Sequence, residues 1–89
     1  MASKIEELKK EGYESVYIWD AKPNEEDLDH VHSFDTRLIV LEGEIEIRMS
    51  GRSTFLKSTN EIDIPKEVVH YGKAGASGCK YIVAEKHGE

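Results

Sequence analysis

Three histidines are the residues of this chain whose type and spacing best suit chemistry. One residue separates His30 from His32, and His70 follows Pro65 later in the chain. Residues two apart on a β-strand point to the same face, about 7 Å apart along the chain. Two such imidazoles converge on one ion through bonds of about 2.0 to 2.1 Å, and a third arrives from another strand. The spacing therefore predicts a metal site with three histidines and open coordination positions.

The alternative interpretation is that these histidines have a structural role and bind no metal. A single His-x-His pair is more simply explained as two side chains on an exposed strand, with His70 as a satisfied core residue. A third histidine behind a proline that ends a strand favours the metal site over this alternative.

Length and charge limit the class of protein. A chain of 89 residues predicts a single domain over residues 1–89, with a thin core that buries only about 60% of its unfolded surface. A thin core favours association with a second copy, so we expect a homodimer. The net charge of −6, from 18 acidic and 12 basic residues, argues against a nucleic-acid partner.

The single cysteine and the start of the chain give the expected compartment. Cys79 has no partner for an internal disulfide, and no apolar stretch near the amino terminus resembles a signal peptide or a membrane span. We expect a cytoplasmic protein with no membrane partner. Cys79 stands where a strand should begin, which favours a small buried hydrophobe over a reactive thiol.

The first part of the chain predicts a short helix and then strands. Ser3 and Glu6 form a capping box, so we expect a helix over about 3–11 and strands over about 15–85. Period-two alternation over 15–20 predicts the first strand. The segment 21–29, with Pro23 and an acidic run, has turn and loop chemistry.

Alternation continues through the rest of the chain. Strands are predicted over 34–41, 44–49, 53–56, 61–65 and 80–85, with a Gly- and Ala-rich loop over 72–78 and a frayed tail over 87–89. In the second of these strands Ile45, Ile47 and Met49 should point inward. The fold class is therefore all-β: an antiparallel barrel or jelly roll of six to eight short strands behind a short N-terminal helix.

Three motifs occur in a characteristic order. They are His30-Val-His32, Val40-Leu-Glu-Gly-Glu44 and Ile62-Asp-Ile-Pro65 followed by His70. Together they resemble the two conserved motifs of the cupin superfamily over about residues 28–84. The resemblance implies a double-stranded β-helix (jelly-roll) barrel, with His30, His32 and His70 as metal ligands inside it.

The chain departs from the cupin pattern at several positions. Thr36 stands where the family has a fourth ligand, a glutamate, and the neighbouring Asp35 is a weaker alternative because strand parity turns it the other way. The leading version is a three-histidine site. Thr59 and Glu67 stand where the family has glycines, which usually supply a positive φ, so we expect slightly different turns there.

Side chains around the motifs have functional and structural interpretations. Arg37 should point away from the histidines and pair with Asp35 or a dimer partner, and the alternative is an anchor for a substrate carboxylate. Tyr71 and Tyr81 are expected in an aromatic core rather than at the cavity opening. Glu67 is expected as an exposed loop carboxylate.

The function predicted from these features is a metal-binding small cupin of unassigned reaction. One divalent transition metal (zinc, iron, nickel, manganese or copper) would chelate a small oxygen-bearing ligand, and whether the chain is an enzyme stays open. Two alternatives remain: a non-catalytic small-molecule binding module, and a metal-free dimeric cupin scaffold.

Overall fold

The computed structural model describes residues 2–87 and contains, over that range, one helix and six strands. The elements are α1 (Ala2–Lys10), β1 (Ser15–Ala21), β2 (Glu26–His30), β3 (Asp35–Met49), β4 (Arg52–Lys57), β5 (Glu61–Ile64) and β6 (His70–Lys86). Every strand pairing is antiparallel. The architecture is the all-β double-stranded β-helix that the sequence predicted, with one short helix in front of it.

The two long strands β3 and β6 organise the sheet. They pair with each other from Asp35↔Lys86 to Met49↔His70, interrupted by two irregularities near Gly43. β1 and β2 lie along the other side of β6, and β4 and β5 lie along the other side of β3. Each long strand therefore pairs with two short strands, and the sheet curls around a single interior.

Apolar residues form one core inside the curled sheet and another outside it. The inner core consists of ten buried residues: Ala21, Leu38, Val40, Ile45, Ile47, Leu56, Ile64, Ala74, Cys79 and Val83. The outer core consists of Leu8 of α1 together with Tyr13, Ile39, Ile82 and Ala84. The helix thus covers the outer face of β3 and β6 and leaves the inner face to the cavity.

Strand alternation predicted the inward residues of β3 correctly. Ile45 and Ile47 are buried in the inner core, and Met49 packs against it. The strands predicted over 34–41 and 44–49 are parts of one continuous strand, however, because the bulges between Val40 and Ile45 bend β3 without ending it.

The prediction of a loop over 21–29 is wrong for its second half. Glu26 to His30 form β2, which pairs with β6 through Glu26↔Lys73, Asp27↔Gly72 and His30↔His70. The strand is almost entirely exposed and lies at the edge of the sheet. Charged residues are well tolerated on an edge strand, where the pairing rests on backbone hydrogen bonds.

The loop predicted over 72–78 is also wrong, since these residues belong to β6. Their small size reflects close packing against β3. A Cβ on Gly72 would lie 3.3 Å from Ile47 Cδ1, and one on Gly75 would lie 2.6 Å from Glu44 Cγ. Glycine and alanine in this stretch therefore mark a tight approach of two strands.

The predicted frayed tail begins with an ordered residue. The backbone N–H of His87 donates to Glu14 Oε1 at 2.8 Å, and its ring lies 4.3 Å from that of Phe34. Gly88 and Glu89 lie outside the described residues, and so does the Ser3 side chain of the predicted capping box. No helix in the part of the chain that the structure describes has the length and apolar character needed to cross a membrane.

Gly43 occupies the point where β3 and β6 separate. Its φ is +79°, and a Cβ at this position would collide with the backbone carbonyl oxygen of Gly78. Gly78 has a φ of +81°, and a Cβ there would lie 2.8 Å from the carbonyl oxygen of Ala21. Both positions therefore require glycine for space as well as for conformation.

We predict that Gly43→Ala lowers the free energy of unfolding by about 2 to 4 kcal/mol, because the collision adds to the cost of the left-handed backbone. Gly51→Ala is the matched control, since Gly51 has a φ of +73° with nothing within 4 Å of its Cβ position, and should cost about 1 kcal/mol. Urea denaturation of both variants measures the difference. Equal losses would contradict the role of the close approach.

Candidate metal centre

The structure brings His30, His32 and His70 together, as the spacing predicted. His30 ends β2, His70 begins β6, and the two are Cα partners across the strand pair. His32 lies just beyond β2. One ligand nitrogen from each ring lies within 4.8 Å of the other two.

Backbone carbonyls orient two of the three rings. His30 Nδ1 lies 2.6 Å from the carbonyl oxygen of Leu28, and His70 Nδ1 lies 3.1 Å from that of Val68. A carbonyl accepts only from an N–H, so the proton sits on Nδ1 and the lone pair on Nε2. A carbonyl partner of this kind is the usual outer contact of a metal-binding imidazole.

His32 is the most distinctive of the three histidines. Its Nδ1 is buried and has no hydrogen-bond partner among the described residues, and its ring stacks on Phe34 with 4.6 Å between centroids. Burial lowers the pKa of His32, and neighbouring His30 and His70 lower it further. The ring is thus kept neutral, which is the form that binds a metal.

The turn before His70 also holds His32 in place. Glu67 adopts a φ of 67°, and its N–H donates to the His32 carbonyl oxygen at 2.8 Å. Thr59 adopts a φ of 75°. The expectation of different turns at these two positions is therefore wrong: both keep the positive φ that glycine would give, at a cost of about 1 to 2 kcal/mol each. The Glu67 side chain is exposed, as expected.

Thr36 and Asp35 face opposite ways, as strand parity predicted. Thr36 is only 5% exposed and lines the cavity together with Leu38, which lies on the same face of β3. Its Oγ1 has no partner in the described part of the chain. Asp35 is exposed and accepts the N–H of Lys66 at 2.8 Å, so it is held away from the histidines.

The histidines line a cavity of about 400 Å³ inside the barrel. Its inner wall is apolar and consists of Ala21, Leu38, Ile45, Ile47, Ile64, Ala74 and Val83. We call the exposed and half-buried residues around its opening the rim: Tyr17, Trp19, Glu25, Glu26, Asp27 and Glu85. A cavity of this volume is the right size for a small molecule.

Carboxylates of the rim are the functional candidates that the sequence left undefined. Asp27 Oδ2 lies 3.7 Å from His30 Nε2. Among the described residues, no other carboxylate forms an ion pair with His30, His32 or His70. The acidic run was visible in the sequence. The register shift between Asp27 and His30 breaks the alternation that would otherwise have predicted which of its members face inward.

Two tyrosines of the cavity remain protonated. Burial, together with a hydrogen bond from its hydroxyl to Glu85 at 3.0 Å, raises the pKa of Tyr17 to about 12. Burial also raises the pKa of Tyr81, which packs against the inner core as expected and also lines the cavity. Both hydroxyls are therefore donors at neutral pH and not bases.

Arg37 and Tyr71 lie outside the cavity lining. Arg37 donates to Asp63 at 2.7 and 3.3 Å, which raises its pKa. It points away from the histidines as predicted, but its partner is on β5 and is not Asp35. Tyr71 donates to Glu26 at 3.0 Å, with Arg48 4.7 Å above its ring.

Cys79 matches its sequence prediction. It is 3% exposed within the inner core, and burial raises the pKa of its thiol to about 11. A buried thiol with a raised pKa is a packing group rather than a nucleophile.

Comparison with solved structures gives the fold family. The chain is similar to a cupin-2 domain containing protein from Shewanella frigidimarina (26% identity, TM-score 0.71, covering 80% of this chain and 68% of that chain). It is also similar to a cupin-like protein from Thermotoga maritima (26%, TM-score 0.75, 81% and 56%). A third is an uncharacterized conserved protein with a double-stranded beta-helix domain from Klebsiella pneumoniae (26%, TM-score 0.72, 83% and 67%).

These likenesses confirm the resemblance seen in the motifs: the chain has the fold of the small cupins. It spans between 56% and 68% of the length of the three structures named above. No family model matches the chain, and no curated protein sequence matches it.

The donor set fits the metal that the cupin fold implies. Three imidazoles converge, two of them with Nδ1 on a carbonyl, and the third has an orphaned buried nitrogen. Nitrogens bound to one ion at about 2.1 Å are at most about 4.2 Å apart. Binding one ion would therefore bring a pair of nitrogens that is 4.8 Å apart closer together.

The lowered pKa of His32 predicts how stability depends on pH in chelator-treated protein. In the folded chain the ring stays neutral below its ordinary pKa of 6.5, whereas the unfolded chain takes up a proton there. The free energy of unfolding should therefore fall as the pH falls from about 7.5 to about 5.5. Urea denaturation should show a smaller fall for His32→Gln than for wild type, with His87→Gln as the control. An unchanged pH dependence in His32→Gln would contradict this assignment.

Proposed function

We propose that this small cupin binds one divalent transition metal through His30, His32 and His70, and that the site chelates a small oxygen-bearing ligand. The observation that supports this most strongly is the convergence of three ligand nitrogens within 4.8 Å on the wall of a cavity of about 400 Å³. Three ligands leave coordination positions open for a ligand from the cavity.

Zinc, iron, nickel, manganese and copper all accept this donor set. When bound, such a metal supplies Lewis acidity or a centre that activates oxygen. Imidazoles bring no negative charge, so the site itself is less anionic than one that includes a glutamate. Thr36, at the position of that glutamate, lines the same cavity, and its Oγ1 is buried.

The chain's own residues bind and orient a ligand more clearly than they move protons. The inner wall is apolar, and the protonated hydroxyl of Tyr81 can donate a hydrogen bond to a ligand, whereas that of Tyr17 already donates to Glu85. An apolar wall with a hydrogen-bond donor favours the second candidate function, a binding module without turnover. The homodimer remains a proposal, and it is the form that the third candidate, a metal-free scaffold, would take.

Metal analysis tests the proposal directly. Protein purified without chelators or a polyhistidine tag should hold about one metal per chain. His70→Ala should weaken metal affinity by about 100-fold or more, measured by calorimetric titration of chelator-treated protein with zinc. His87→Ala is the matched control, because it removes an exposed imidazole outside the triad, and should bind as wild type does.

Substoichiometric metal that is unchanged in His70→Ala would contradict the metal site and leave the scaffold as the remaining candidate. If metal is present and lost in His70→Ala, oxygen consumption against small diketones, thiols and phenols separates an enzyme from a binding module. Turnover that requires the metal identifies the enzyme, and ligand binding without turnover identifies the module.

We predict that Thr36→Glu tightens zinc binding by about tenfold, because it adds a carboxylate on the inner face of β3. Thr36→Gln has nearly the same shape without the charge and should leave affinity close to that of wild type. The same calorimetric titration compares them. Weaker binding in Thr36→Glu than in Thr36→Gln would show that the added carboxylate cannot reach the ion.

A further inference from the structure

The rim of the cavity has an unusual charge balance. Four of its members are carboxylates, Glu25, Glu26, Asp27 and Glu85, and no lysine or arginine lines the cavity anywhere in the described chain. The formal charge around the opening is thus −4, and a divalent ion on the three imidazoles would reduce it only to −2. A cavity with walls of low dielectric concentrates such a field on whatever enters.

Hydrogen bonds fix two of the rim carboxylates, Glu25 and Glu85. Glu25 accepts the indole N–H of Trp19 at 3.3 Å and the backbone N–H of Lys22 at 2.9 Å. Glu85 accepts the hydroxyl of Tyr17 at 3.0 Å. These donors are neutral, whereas the other oxygen of Glu85 faces His87 Nε2 at 3.1 Å and Asp27 faces His30 Nε2 at 3.7 Å.

Aromatic rings accompany the carboxylates on the rim. Trp19 is 47% exposed and Tyr17 is 43% exposed, although both are large and line the cavity. Their polar atoms are already occupied by Glu25 and Glu85, so what they offer a ligand is the ring. Carboxylates beside indole and phenol rings are the combination that attracts an organic cation, by charge and by cation–π contact.

A second feature of the inner face is a buried hydroxyl without a partner among the described residues. Thr36 is about nineteen-twentieths buried, shares the inner face with Leu38, and its Oγ1 has no partner within the described chain. A buried hydroxyl without a partner is rare because its desolvation is uncompensated. Because this Oγ1 is itself buried, it reaches a ligand oxygen in the cavity only if the Thr36 side chain rotates.

We propose that the ligand of this cavity is a small organic cation that also bears a hydroxyl or carbonyl oxygen, its ammonium group at the rim and its oxygen inside. The position of the oxygen rests on the proposed function, whereas the preference for a cation rests on the rim alone. Carboxylates and phosphates are disfavoured by the same four negative charges.

Three probes of one shape and different charge test this. Choline is the cation, 3,3-dimethylbutan-1-ol is its neutral isostere, and 3,3-dimethylbutanoate is an anion of similar size. Calorimetric or NMR titration of chelator-treated protein should show choline binding about tenfold more tightly than the alcohol, with the anion weakest. The advantage of choline should shrink as sodium chloride is raised.

Asp27→Asn should weaken choline binding by about three- to tenfold and leave the alcohol unchanged. Asp20→Asn is the matched control, since Asp20 is an exposed β1 residue that is absent from the cavity lining. Thr36→Val should weaken choline but not tetramethylammonium, which lacks the oxygen.

The proposal is overturned if the alcohol or the anion binds as tightly as choline, or if choline does not bind below about 10 mM. Because these titrations use metal-free protein, a failed charge preference is distinct from a failed metal site. The zinc titration of His70→Ala reports on the metal site alone.

Discussion

The pairing of β3 with β6 is the interaction on which the rest of the structure depends. It runs from Asp35↔Lys86 to Met49↔His70, and every other strand pairs with one of these two. The inner faces of both strands supply most of the buried apolar residues of the cavity wall. Their outer faces supply the surface on which Leu8 of the helix packs. A small chain thus buries two cores with a single strand pair.

The pairing also explains the tight glycine positions and the place of the histidines. Gly43 and Gly78 lie where β3 and β6 separate. A Cβ on Gly43 would collide with Gly78, and one on Gly78 would collide with Ala21 of β1. Past this point β6 runs back to His70, which then faces His30 across the pair with β2. The metal centre is therefore located by strand register, and local hydrogen bonds to carbonyl oxygens only adjust the rings.

Sequence patterns predicted those features that depend on alternation and on spacing. The inward faces of Ile45 and Ile47, the outward turn of Arg37, the opposed sides of Asp35 and Thr36, and the meeting of the three histidines all follow from period two and from the motif order. Features set by close approach between distant strands could not be predicted. Glycines of β6 resembled a loop because the strand that crowds them is far away in sequence.

The edge strands were also difficult to predict from the sequence. β2 is too acidic to be recognised as a strand, and the irregularity between Asp27 and His30 hides which side chains face inward. The partner of Arg37 is on β5, whose position beside β3 is fixed only by the folded sheet. Positive φ at Thr59 and Glu67 shows that the backbone course of a turn can persist after its glycine is replaced.

The slight attachment of β2 gives the site two halves of different rigidity. His70 begins a strand that pairs with β3 over most of its length, whereas β2 is exposed and pairs with β6 through Glu26, Asp27 and His30. Segments with few buried contacts open at low free energy, well below that of global unfolding. Excursions of β2 would swing His30 and Asp27 outward while His70 stays fixed. Binding of a metal at the three histidines would then have to offset the free energy of holding β2 closed. Amide hydrogen exchange in β2 would slow in proportion to the occupancy of the metal site.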